Sequence, residues 1–126
     1  DIGFFKEDFF IDVVAYEYCL RAKQKGYHII RCNKALLEHE PASGKEKKFG
    51  HFKLRYGYAS PERYYYQIRN LLWTGIYYKN LSMFKWIIIK LLKILFLFPD
   101  KTVYFHMMAK AAGNALHNKL GKLNEE

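Results

Sequence analysis

Cysteine is nearly absent from this chain. Cys19 and Cys32 are the only two, and their spacing matches no metal motif, so they argue for a reducing compartment rather than a disulfide scaffold. No His/Cys cluster gives a zinc signal. Residues 1–20 have no basic stretch followed by an apolar run, so no secretory signal peptide is visible in them. No internal repeat or long low-complexity segment occurs. No RNA-recognition signature, zinc finger or helix-turn-helix pattern is present, so no nucleic-acid partner is expected. Acidic residues are few after residue 44, five in residues 45–126. The chain also begins at Asp1 without an initiator methionine, and it is expected to be part of a longer protein.

The 126 residues suffice for one modest domain. The net charge of +9 is unevenly spread: residues 1–44 are nearly balanced, at about −1, and residues 45–126 carry about +10. Acids in the first part suit a site that handles a proton or a metal. The basic part suits an anionic surface. Aromatic residues make up 18% of the chain, compatible with core packing and with use at a membrane interface.

Residues 4–14 read as a loop ending in a short β-prone apolar run. A helix is expected over 15–25, with Ala15, Tyr18, Cys19 and Ala22 as its apolar stripe and Gly26 as its stop. Strands are expected at 27–32 and 35–39, then a loop over 40–50. Ser60-Pro61-Glu62 is a helix start, with a Ser cap, Pro in the first turn and an acid behind it. That helix should run to about Lys79. A second covers 83–98, ended by Phe98-Pro99, and a third runs from Asp100 to about Leu120.

The informative stretch is Gly3 to Tyr27. It contains Phe9-Phe10-Ile11-Asp12, Glu17, Cys19-Leu20-Arg21 and Gly26-Tyr27. Leu37-Glu38-His39 follows, then Ser60-Pro61-Glu62-Arg63-Tyr64-Tyr65-Tyr66 and Arg69-Asn70. In this order the motifs resemble the C-terminal part of bacterial family-2-type, inverting GT-A glycosyltransferases, and the rhamnosyltransferase branch most closely. The resemblance covers residues 1–80 well and the remainder loosely. It implies an α/β fragment, mainly α, in which the last strands of a Rossmann-like GT-A domain (1–58) precede a tail of three long helices (59–126). It implies transfer of a sugar, rhamnose from dTDP-rhamnose, to a surface-polysaccharide or lipid-linked glycan acceptor. It also implies a divalent metal, Mg or Mn, with His39 as a ligand, and a nucleotide-sugar-binding half upstream, without which this part is expected to be inactive.

Inverting transfer needs a carboxylate to take the acceptor's proton, and cationic help for the departing diphosphate. Asp12 and Glu17 are the candidate catalytic acids. Arg21, Arg63 and Arg69 are the candidate acceptor- or phosphate-binding residues. One departure matters: the position where the resemblance expects the base is Ala15. The enzyme is inactive, the base has been lost, or Asp12 or Glu17 substitutes. Glu17 lies about 200° round a helix from residue 15, which disfavours simple replacement.

Structural readings stand beside these. Asp12 also suits a turn before a helix. Glu17 and Arg21 are an ordinary i,i+4 pair. His39 without the resemblance is a core or surface His. Arg63 and Arg69, six apart, share no tight helix face. The lysines of 45–48 belong to a solvated loop or to the mouth of the site.

Residues 83–98 are too short and too charged for a clean membrane span, which needs about 20 apolar residues. Lys85, Lys90 and Lys93 fall in an arc of about 140°, with Ile87, Ile88, Leu91, Ile94 and Leu95 outside it. A peripheral, basic amphipathic helix is expected, seated on the cytoplasmic face of the bacterial inner membrane, with Tyr64–Tyr66, Tyr77 and Tyr78 as interfacial anchors. The other reading is a non-enzymatic basic module that binds anionic membrane or nucleic acid.

Overall fold

A computed structural model describes residues 1–36, 38 and 44–123. His39 lies outside the described residues, so the structure does not bear on its metal-ligand role. The element order is a single 3-10 turn (Glu7–Phe9), helix α1 (Val14–Gln24), strands β1 (Gly44–Phe49) and β2 (Phe52–Gly57), then helices α2 (Pro61–Tyr77), α3 (Leu81–Leu97) and α4 (Lys101–Leu116). The chain is thus mainly helical, with one small antiparallel sheet of two strands.

Helix α2 starts where Ser60-Pro61 requires. The Ser60 hydroxyl accepts the Arg63 amide at 3.2 Å, satisfying one of the orphan donors of the first turn. Asn80 does the same for α3, accepting from the Ser82 amide at 3.0 Å, so α3 begins at Leu81 rather than 83. Gly26 takes φ +82° just beyond α1, the left-handed conformation that lets the chain leave a helix. Helix α4 stops at Leu116, about four residues short of expectation.

The core is built around α2. Tyr64, Tyr65 and Tyr66 are consecutive, so their side chains sweep about 200° of the helix, yet each is at most 2% exposed. Such a helix must be covered on several sides. Ile94 and Phe98 cover it from the α3 side, and Tyr104, Met108 and Ala111 from α4. The rings of Tyr56, Tyr58, Tyr64 and Tyr104 surround Phe98 at centroid distances of 4.7–6.0 Å. Tyr64 and Tyr104 meet it edge to face, and such pairs contribute about 0.5–1.5 kcal/mol each beyond area burial. Two of the buried tyrosine hydroxyls are partnered: Asn114 donates to Tyr65, and Tyr104 donates to the Ala59 carbonyl. Tyr64–Tyr66 are therefore core residues and not the interfacial anchors expected of them.

Two further expectations are corrected. Residues 27–32 form no strand and are exposed, because nothing pairs with them among the described residues. The strands lie instead at 44–49, where a loop was expected, and at 52–57, beyond that loop. Their register places Lys45 opposite Tyr56, Lys47 opposite Leu54 and Phe49 opposite Phe52. Gly50, with φ +58°, supplies the first position of a two-residue loop, where a positive φ matches the twist of the strands. A hairpin of two strands is marginal alone. This one is moored to the end of α3, where Lys47 donates to the Phe96 carbonyl at 2.7 Å and Tyr56 to the Leu97 carbonyl at 3.0 Å. Both are carbonyls that a helix C-terminus leaves without internal partners.

Helix α3 is oriented opposite to a simple surface amphipath. Met83 and Ile94 face inward, and Lys90 sits on the same side, half-buried against α2. Leu81, Ile88, Leu92, Leu95 and Phe96 face solvent, each between 45% and 81% exposed. No helix among the described residues is long and apolar enough to cross a membrane.

Candidate functional site

The segment before α1 is held in an unusual backbone. Phe10, Asp12 and Val13 all have positive φ, at 62°, 58° and 65°. None is glycine, and each such residue carries a steric cost of about 1–2 kcal/mol. The compensation comes from α2, about 60 positions along the chain. The Asn70 amide nitrogen reaches the carbonyls of Phe9, Ile11 and Asp12 at 3.0, 2.8 and 3.1 Å. Arg69 donates to the carbonyls of Asp8, Phe9 and Gly121 and to the Asn70 side chain. Both residues are almost wholly buried. Arg69, a candidate phosphate ligand, thus lies in the core with four acceptors around its guanidinium.

The turn aims Asp12 at α2. Arg63 donates to both carboxylate oxygens, from Nε at 3.0 Å and Nη2 at 3.3 Å, and Gln67 adds a bond at 3.3 Å. The carboxylate raises the Arg63 pKa through these bonds and through its charge. Gln67 turns its oxygen to the Lys90 amine. Lys90 also stands over the Tyr64 ring, 4.9 Å from its centre. Burial, reinforced by Lys93 and Arg63, pushes the Lys90 pKa down to about 8, although Asp12 pulls the other way. An acid, a guanidinium, an amide and an amine from three elements thus form one chain of contacts.

Asp12, Gln67 and Lys90 of this polar chain line a cleft of about 360 Å³ between the turn, α2 and α3, with Tyr16, Leu71, Met83 and Trp86 among its walls. Tyr16, Met83 and Trp86 also line a second groove of about 490 Å³ that runs along α1. Tyr16 and Trp86 are 60% and 49% exposed, so both present ring surface to whatever enters.

Glu17 and Arg21 lie apart from the cleft. Glu17 is 2% exposed and accepts from Arg21 at 3.1 Å and from the Tyr78 hydroxyl at 2.6 Å. Burial, then the Glu17 bond, raises the Tyr78 pKa. Arg21 also donates to the carbonyls of Ile2 and Phe4. The pair clamps the first five residues and the end of α2 onto α1. The i,i+4 spacing was legible as an ion pair; its burial and its tyrosine partner were not.

Of the sequence candidates, the structure therefore places Asp12 at the cleft, with Arg63 bonded to it but not lining the cleft, and Glu17, Arg21 and Arg69 in buried or half-buried clamps. Ala15 is an exposed residue of α1, one position before the cleft-lining Tyr16. Gln67, Trp86 and Lys90 were not singled out as site residues. Their signal was indirect: Gln67 lies one helical turn beyond Arg63, and Lys90 interrupts an apolar run. Among the described residues no group of three His, Cys, Asp or Glu forms a metal site, and Asp12 has both oxygens occupied. No protein-family model, curated protein or solved structure matches the chain.

Proposed function

We propose that the chain is the acceptor-side part of an inverting, rhamnosyltransferase-like glycosyltransferase, working at the cytoplasmic face of a bacterial inner membrane. The observation that supports this reading is the interlocking of two motifs. The stretch Phe9 to Asp12 and the Arg63…Arg69-Asn70 helix carry the resemblance separately, and in the fold they bond to each other and hold Asp12 at the cleft. The apolar outward side of α3 suits a lipid-linked acceptor.

Asp12 is the proposed base, because it opens on the cleft whereas Glu17 is sealed. The Asp12 carboxylate takes the proton of the acceptor hydroxyl. The freed oxygen attacks the anomeric carbon of the donor, the bond to the nucleoside diphosphate breaks, and the diphosphate departs with its electron pair. Arg63 holds the carboxylate in place. Its side chain is 49% exposed, the most accessible of the three candidate arginines, so it can also meet an anionic ligand. The resemblance puts the nucleotide-sugar site upstream, so residues 1–126 alone should neither bind dTDP-rhamnose at micromolar concentration nor turn over.

The test is transfer of labelled rhamnose by the full-length protein onto a membrane-extracted glycan acceptor. Asp12→Asn should lower kcat by at least about 100-fold, the usual span of general base catalysis, and Ala15→Asp should leave it nearly unchanged. A large gain from Ala15→Asp with no loss from Asp12→Asn would move the base back to position 15. Absence of transfer from any nucleotide sugar would remove the enzyme reading.

A further inference from the structure

The hairpin β1–β2 is the part of the fold that the cleft does not explain. Its two faces differ. Lys45, Lys47 and Phe49 share one face with Phe52, Leu54 and Tyr56, whereas Glu46, Lys48, Lys53 and Arg55 make the other. Tyr56 alone is buried, at the base. Toward the tip, Leu54, Phe49 and Phe52 are 46%, 48% and 81% exposed.

Directly behind the two tip phenylalanines, Lys48 stands opposite Lys53. Like charges at directly paired positions destabilise a hairpin. Neither lysine is ion-paired with a carboxylate among the described residues. Only Glu46 offsets the five cations of the two strands. The bare phenylalanines make this tip poorly matched to water, and its lysine pair has no carboxylate beside it among the described residues. The tip is well matched to a bilayer surface, where aromatic rings enter the headgroup–acyl boundary and lysines meet lipid phosphates. One strand residue separates the two layers by about 3.4 Å, which suits ring below phosphate.

The tip is also continuous with a second apolar surface. Lys47 fastens β1 to the Phe96 carbonyl, at the end of α3 whose outward row includes Leu92, Leu95 and Phe96. We propose that the hairpin tip, with Phe49 and Phe52 inserted and Lys48 and Lys53 on headgroup phosphates, docks the chain on an anionic lipid surface together with α3. This deepens the membrane side of the function proposed above and rests on it for α3, but not on catalysis.

The test is co-sedimentation of the 126-residue chain with vesicles of equal parts phosphatidylcholine and phosphatidylglycerol, and with phosphatidylcholine alone. No donor or turnover is involved, so a failed transferase assay leaves the result untouched. Lys48→Ser/Lys53→Ser should weaken binding to the anionic vesicles about 30-fold, from about 1 kcal/mol per basic residue, and leave binding to phosphatidylcholine nearly unchanged. Phe49→Ser/Phe52→Ser should weaken both. In a Trp73→Phe/Trp86→Phe background, Phe52→Trp should shift its emission to the blue on adding anionic vesicles and be quenched by brominated acyl chains, a readout that needs no loss of binding. Wild-type binding by both double variants, with no shift at position 52, would overturn the proposal and leave α3 as the sole contact. Loss of single-stranded RNA binding by the lysine variant, with vesicle binding intact, would overturn it in favour of a nucleic acid.

Discussion

Replacing Asn70 by Ala tests whether α2 holds the turn from Phe9 to Val13. The amide nitrogen has two hydrogens shared among three carbonyls at 2.8–3.1 Å. Two buried hydrogen bonds contribute about 1 kcal/mol each. The side-chain oxygen accepts from the Arg69 Nε at 3.0 Å, a bond to a charged group worth about 2 kcal/mol. Asn70→Ala should therefore cost about 4 kcal/mol, a large share of the 5–15 kcal/mol typical of a domain, and lower Tm by roughly 15 °C. The three positive-φ residues add a second consequence: without Asn70 the turn has reason to relax toward ordinary dihedrals. Asp12 would then leave Arg63, and the Glu17 amide, bonded to the Val13 carbonyl at 2.9 Å, would lose protection first. Urea unfolding followed by tryptophan fluorescence gives the stability, and amide hydrogen exchange gives the order of opening. A loss under about 1 kcal/mol, with Glu17 protection unchanged, would refute the claim that the turn hangs on this side chain.

A double-mutant cycle of Glu17→Gln and Tyr78→Phe should show a coupling of about 1–2 kcal/mol in urea unfolding, because the 2.6 Å bond is lost only once; additive effects would refute the clamp. Gly113→Ala should raise stability by about 1 kcal/mol, since nothing lies within 4 Å of its added carbon and the helix gains propensity. The same change at Gly75 should not, because Met83 and the Phe84 ring lie 3.1–3.2 Å away; paired thermal melts compare the two. Lys90 has a pKa lowered from 10.5 to about 8, so between those values the unfolded chain binds more protons and this group makes stability rise with pH. Lys90→Met should remove that rise in melts at pH 8 and 10. The tyrosines act in the opposite sense. Burial pushes Tyr64 from 10.0 up to about 12, so its contribution is present below pH 10 and is lost as pH rises toward 12.

Much of the helical layout was legible because its signals are local. A Ser cap before Pro61, an Asn before Leu81 and a Gly after α1 act within one turn of chain, and the helix limits followed to within a few residues. The hairpin was missed because Lys and Glu at 45–48 argue against a strand, and only the Gly50-His51 pair between two phenylalanines argued for one. The strand expected at 27–32 had suitable residues, but a strand needs a neighbour, and no neighbour is a property of the segment itself.

For the site, sequence could nominate Asp12, Arg63, Arg69 and Asn70 one by one, and it determined the chemistry each can perform. It also determined that position 15 holds Ala, so no side chain there can take a proton. Which acid opens on a cleft and which is sealed was decided only by tertiary structure. Glu17 and Asp12 are both carboxylates near the start of α1, yet one lies under Arg21 and Tyr78 and the other faces Arg63, Gln67 and the cleft. The same holds for α3, whose helical wheel shows where Lys90 lies on the helix but not which side meets α2. Periodicity sets relative angles along one element, whereas burial depends on which neighbours fill the space around it, and those come from distant parts of the chain.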